Sequence, residues 1–124
     1  MKTPIRVVLV EDNRAFRDAM KMVLELEPDI EVVASVDNGS DAGRVCGEQR
    51  PDVVLLDYRL PGLDGVQATL AIREAVPAAR VVCLTASAHG REVRDLLAAG
   101  VVACLTKDTD LSEIIAAIRD AADR

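Results

Sequence analysis

The chain has 124 residues, half of them apolar and 29% charged, with a net charge of −6. That length fits one domain able to bury a core without staples, in a composition ordinary for soluble proteins. The negative balance argues against this chain gripping nucleic acid itself, which needs a basic face. No apolar stretch approaches membrane-spanning length and the N-terminus carries no signal-peptide pattern, so a cytoplasmic protein with no membrane partner is expected. With one Phe, one Tyr and no Trp, the core must come from Val, Leu, Ile and Ala. The three cysteines, Cys46, Cys83 and Cys104, fit neither a disulfide framework nor a zinc site in number or spacing. Cys83 and Cys104 lie in apolar runs and read as small core residues.

Taken in chain order, strand-like and helix-like segments alternate. The apolar run Ile5–Val10 reads as a strand and ends at Glu11-Asp12. A helix follows over Arg14–Leu26, with Phe16, Met20, Val23 and Leu24 on one face and Pro28 as its stop. The segment Glu31–Val36 alternates in polarity, which suggests a partly exposed edge strand. After a helix over Ser40–Gln49, Val53–Leu56 is an unbroken run of Val and Leu, read as a strand buried on both faces. It ends at Asp57, since an unpaired charge cannot continue into the core. A helix over Val66–Ala75, a strand over Arg80–Leu84, a helix over Arg91–Ala98, a strand over Val101–Leu105 and a helix over Leu111–Ala122 complete the chain. Asp110 is placed to cap the last helix, with Glu113 completing a capping box. Gly39, Pro51, Pro77 and Gly100 mark breaks between elements.

Alternation of this kind predicts an α/β fold, a parallel sheet with helices on both faces. Right-handed crossovers bring all strand C-termini to one edge, where open α/β sheets place their ligands. That edge carries Glu11, Asp12, Asp57, Thr85 and Lys107. The three carboxylates offer hard oxygen ligands without imidazole or thiolate, which suits Mg²⁺. An aspartate can act as a nucleophile toward phosphorus and form an acyl phosphate. The transferred group then needs positive charge and donors, which Lys107 and Thr85 supply. Singly, Lys107 reads as a solvated lysine and Thr85 as a loop cap. Their joint placement at strand ends points to a site.

The segments Val-Glu-Asp-Asn at 10–13, Leu-Leu-Asp-Tyr-Arg-Leu-Pro-Gly-Leu-Asp-Gly at 55–65, Leu-Thr-Ala at 84–86 and Leu-Thr-Lys-Asp at 105–108 together resemble the receiver domain of two-component response regulators. The resemblance spans nearly the whole chain, residues 1–124 being read as one receiver domain. The Tyr-Arg-Leu-Pro-Gly loop and Lys107-Asp108 are similar to the NarL/LuxR-type subfamily. The resemblance implies a flavodoxin-like fold with five parallel strands in order 2-1-3-4-5. It implies that Asp57 is the phosphoacceptor, and that Asp12, Asp57 and the Arg59 main-chain carbonyl bind Mg²⁺. Glu11 would act through a metal-bound water, and Thr85 and Lys107 would contact the phosphoryl group. Pro61 and Gly65 match the shaped loop after the acceptor. Implied partners are a sensor histidine kinase and either an output domain or a second copy, met through the fourth helix, fifth strand and fifth helix. Arg91, Glu92, Arg94, Asp95 and Arg119 are read as exposed charges of that face. Relatives of this type usually carry a helix-turn-helix DNA-binding domain, which is expected to lie outside this chain. Control of transcription is the expected output.

One position departs from the family. Receivers usually carry Tyr or Phe three residues before the lysine, as a ring that changes rotamer on activation, and here Cys104 stands there. The expected consequence is weaker coupling from pocket to surface. By the same resemblance Arg59 and Ser87 sit at the pocket rim, while small Ala86 leaves it open to a phosphodonor. His89 reads as a surface loop residue. A haloacid-dehalogenase-type phosphatase would need a second acid where Arg59 stands, and a dinucleotide-binding fold a glycine-rich turn where Glu11-Asp12-Asn13 stands. Not being a turnover enzyme on an external substrate is therefore the expectation, with a phosphorylation-independent interaction module as the alternative.

Overall fold

Each apolar run does become a strand, and each is followed by a helix. In the computed structural model, which describes residues 3–86 and 90–124, the order is β1 (Ile5–Val10), α1 (Arg14–Glu25), β2 (Ile30–Val36), α2 (Ala42–Gln49), β3 (Val53–Asp57), α3 (Gly65–Ala75), β4 (Arg80–Thr85), α4 (Gly90–Ala99), β5 (Ala103–Thr106) and α5 (Leu111–Ala122). The five strands form one parallel sheet in the order β2-β1-β3-β4-β5. Parallel neighbours require a long crossover, which each helix provides. The chain reverses its direction of travel between β1 and β3. Such a switch point leaves a crevice outside the strand C-termini.

The sheet separates two apolar layers. On one side Val8, Val10, Val54, Leu56, Val81 and Cys83 pack against α2, α3 and α4 through Ala42, Cys46, Ala68, Ile72 and Leu96. On the other, Val7, Leu9, Leu55, Val82 and Leu84 meet α1 and α5 through Met20, Leu24, Ile114, Ile115 and Ile118. The central strand β3 is buried at every position, as its sequence requires. The edge strand β2 alternates in exposure. No helix among the described residues is long and apolar enough to cross a membrane.

Some boundaries differ from the sequence reading for physical reasons. β3 extends to Asp57, which pairs with Leu84 of β4, and the Tyr58 amide then donates to the Leu84 carbonyl at 2.9 Å. β5 begins at Ala103 because the Val101 amide still belongs to the end of α4, donating to the Leu96 carbonyl at 3.1 Å. Gly100 makes that turn at φ +111°, a conformation costly for residues with a Cβ. The expected capping box at α5 is not formed, since the Asp110 side chain makes no cap hydrogen bond. The capping box lies at α3, where the Asp64 carboxylate accepts from the Gln67 amide at 2.9 Å and the Gln67 side chain accepts from the Asp64 amide at 3.1 Å.

Candidate functional site

Four strand ends bring the expected residues to one edge of the sheet, and those of β1, β3 and β5 meet in one pocket. Glu11 follows β1 and is 5% exposed, while Asp12 beside it faces solvent. Asp57 closes β3 and is 6% exposed. Thr85 closes β4 and is buried. Lys107 leaves β5 with its side chain three-quarters covered, at 25% exposure. Ligand oxygens of Glu11, Asp12 and Asp57 lie within 4.8 Å of one another. Hard oxygens at this spacing, one side open, suit a divalent cation that keeps some of its water.

The Lys107 ammonium bridges two of the acids. Its Nζ stands 2.6 Å from Glu11 Oε1 and donates to Asp57 Oδ2 at 3.2 Å. It also lies over the Phe16 ring, 4.7 Å from the centroid, a cation–π contact. Burial works against the ammonium, but its bonds to Glu11 and Asp57 outweigh it and hold the Lys107 pKa above the ordinary value. Glu11 is pushed upward, first by burial and then by the Asp57 charge, against the bonds from Lys107 and the Asn13 amide. Two further contacts fix Glu11: its Oε2 accepts from the Asn13 amide at 3.0 Å, and its carbonyl accepts from Arg17 Nη1 at 2.9 Å. Asn13 in turn caps α1, its side-chain oxygen accepting from the Phe16 amide at 3.0 Å.

The loop after β3 is held at both ends. The Arg59 amide reaches Asp57 Oδ1 at 3.4 Å, and the Gly65 amide donates to the Tyr58 carbonyl at 2.8 Å. A Cβ on Gly65 would stand 2.9 Å from the Tyr58 ring, so glycine is required for this closure. Pro61 accepts from the Gly39 amide at 2.9 Å, tying the loop to the start of α2. The Arg59 side chain is exposed at the rim and Ala86 faces solvent. The positions read for Ser87 and His89 fall outside the described residues.

Sequence reasoning missed Phe16, Asn13 and Arg17 as supports of the pocket. It also missed an open groove of about 530 Å³ beside Asp12, lined by Tyr58, Arg59, Leu60, Pro61, Asp64 and Glu92. Glu92 is expected as an exposed charge, yet its Oε2 is buried, with no hydrogen-bond partner among the described residues. Arg119, expected on the same face, pairs with Asp29 at 2.8 Å and Glu27 at 2.9 Å, at the junction of α1 and β2.

The profile of the response regulator receiver domain matches residues 7–119. The transcriptional regulatory protein LiaR of Bacillus subtilis is 35% identical over 117 residues, covering 94% of this chain and 56% of that protein. The response regulator VraR of Staphylococcus saprophyticus is 35% identical over 116 residues, covering 94% and 56%. The chain thus spans about half the length of the curated relatives it matches. Among solved structures, the signal receiver domain of NarL from Mycobacterium tuberculosis superposes with a TM-score of 0.93 at 34% identity, covering 98% of both chains. A LuxR-family response regulator from Aurantimonas sp. SI85-9A1 gives 0.92 at 30% identity, covering 98% of this chain and 86% of that one.

Proposed function

The chain belongs to the response regulator receiver domain family, and from that premise we propose that residues 1–124 form one phosphorylation-controlled switch whose phosphoacceptor is Asp57. The observation that carries this reading is the convergence of Glu11, Asp12, Asp57 and Lys107 in one pocket, with the ammonium already bridging Glu11 and Asp57.

Asp12, Asp57 and the Arg59 carbonyl would hold Mg²⁺, with Glu11 acting through a bound water. The cation, when bound, offsets the negative charge that gathers on the acids and the incoming phosphoryl group. An Asp57 oxygen attacks phosphorus as the bond to the donor breaks, leaving an acyl phosphate on Asp57. The Lys107 ammonium gives up a carboxylate partner for a phosphoryl oxygen. The Thr85 hydroxyl, at the neighbouring strand end, donates to another. The product is a state of this chain that water later resets, so the protein is not a turnover enzyme.

The donor is a sensor histidine kinase, and the site of action is the cytoplasm. The receiving surface is the α4–β5–α5 face, which meets an output domain or a second copy, with transcription as the controlled process. LiaR and VraR, named as a transcriptional regulator and a response regulator, support that output. This chain binds no nucleic acid itself, consistent with its charge of −6.

Incubation with acetyl phosphate and Mg²⁺, followed by intact mass, tests the reading. One phosphoryl group is expected on the wild type and none on Asp57→Asn or in the presence of a chelator. Equal incorporation by Asp57→Asn overturns it, and no incorporation by the wild type favours the phosphorylation-independent module.

A further inference from the structure

Cys83 and Cys104 are register partners on the adjacent parallel strands β4 and β5. Parallel neighbours run about 4.7–4.9 Å apart, inside the Cα separation of about 4.4–6.8 Å that a disulfide spans. Both residues belong to the layer facing α2, α3 and α4, so their sulfurs leave the sheet on the same side. The two are unlike in setting. Cys83 is fully buried, whereas Cys104 sits partly exposed on an edge strand. The Cys83 thiol donates to the Leu84 carbonyl at 3.8 Å, and the neighbouring Cys83 thiol brings the Cys104 pKa down to about 7, against burial and the negative Glu92 on α4. The neighbouring Cys104 sulfur, then burial, pushes the Cys83 thiol up, so the charge of the pair rests on the more exposed sulfur. Cys46 is buried on α2, its thiol pushed up to about 12 by burial.

We propose that Cys83 and Cys104 form a redox-active dithiol, with Cys104 attacking hydroperoxides and Cys83 resolving the product to a cross-strand disulfide. This inference is independent of the Asp57 reading. The Cys104 thiolate attacks the terminal peroxide oxygen. The O–O bond breaks, a sulfenic acid forms on Cys104, and the departing alkoxide takes the Cys83 proton to leave as an alcohol. The Cys83 thiolate then attacks the Cys104 sulfur, the S–S bond forms and hydroxide leaves. Two thiol sulfurs are oxidised and one peroxide is reduced.

The test treats the reduced full chain, and separately Asp57→Asn, with hydrogen peroxide. Both should lose two hydrogens by intact mass, reversibly with dithiothreitol. Trypsin should yield the 81–91 peptide linked to the 95–107 peptide. Cys104→Ser should abolish the link. Cys83→Ala, whose fold is checked by circular dichroism, should instead accumulate a dimedone-trapped sulfenic acid on Cys104. Cys46→Ser should behave as wild type. Oxidation of wild-type Cys104 to sulfinic acid without a link, or a link through Cys46, overturns the proposal.

Discussion

Lys107 Nζ stands closer to Glu11, at 2.6 Å, than to the expected phosphoacceptor Asp57, at 3.2 Å. Glu11 is therefore a holder of the ammonium as well as a neighbour of the cation site. Without a metal the lysine does the work of a counterion, and a cation at the proposed site would have to compete with it.

Removing that counterion has opposite effects on stability and on metal binding. Lys107→Ala should destabilise the metal-free protein by about 1–3 kcal/mol, because two buried carboxylates lose a charged partner. It should also tighten Mg²⁺ several-fold, on the order of 1 kcal/mol for removing a nearby positive charge. Urea unfolding with and without Mg²⁺ reads both effects, and the metal should restore most of the lost stability. The response to beryllofluoride should fall in the same variant, since the ammonium is a proposed phosphoryl contact.

Glu11 and Lys107 leave opposite marks on the pH profile. The Glu11 pKa is raised by burial, so the folded state binds more protons than the unfolded one just above the ordinary carboxylate value. Stability should fall as pH rises through that window, and Glu11→Gln should flatten the slope. Lys107 is raised by its two acids against burial. Its stabilisation is complete below the ordinary lysine pKa and lost as pH rises through the raised one. Metal-free denaturation midpoints across pH should show an acid-side decline absent from Glu11→Gln and an alkaline decline absent from Lys107→Ala.

Gly39 couples the fold to the site through packing. A Cβ there would stand 2.3 Å from the Leu63 carbonyl oxygen and 2.9 Å from Leu63 Cβ. Gly39→Ala should cost about 1–3 kcal/mol as an overpacked contact. Because Gly39 also anchors Pro61, the displaced loop should carry Arg59 with it and weaken Mg²⁺ binding. Isothermal titration of a folded Gly39→Ala protein checks this; an unchanged affinity would separate the loop from the metal site.

The Arg119 clamp predicts behaviour in acid. Asp29 is held below the ordinary carboxylate range, chiefly by its bond from Arg119. Its stabilisation is present above the unfolded carboxylate pKa and disappears as pH falls through the depressed folded one. Asp29→Asn should lower the melting temperature at neutral pH and leave it unchanged in strong acid. Added salt should shrink the neutral-pH difference, since the pair is exposed.

Strand ends were legible because an apolar run stops where a charge begins. Asp57, Glu11 and Lys107 could therefore be placed at one edge from the alternation alone. The bridge among them was not legible, because Lys107 and Asp57 are 50 residues apart and only the β1–β3–β4–β5 order brings them together. Phe16 read as one more apolar residue of an amphipathic helix. Its second role, under the Lys107 ammonium, depends on how α1 docks against the sheet. The α5 cap failed for a local reason: Asp110 holds the cap position, but its side chain does not turn back to the helix.

The Lys107 amide donates to the Thr85 carbonyl at 2.8 Å. That bond yokes the tips of β4 and β5. Two side chains proposed to grip the same phosphoryl group hang from main chains joined by that one hydrogen bond. A shift of one tip would carry the main chain of the other with it, so the two prongs would advance or retreat as a fork.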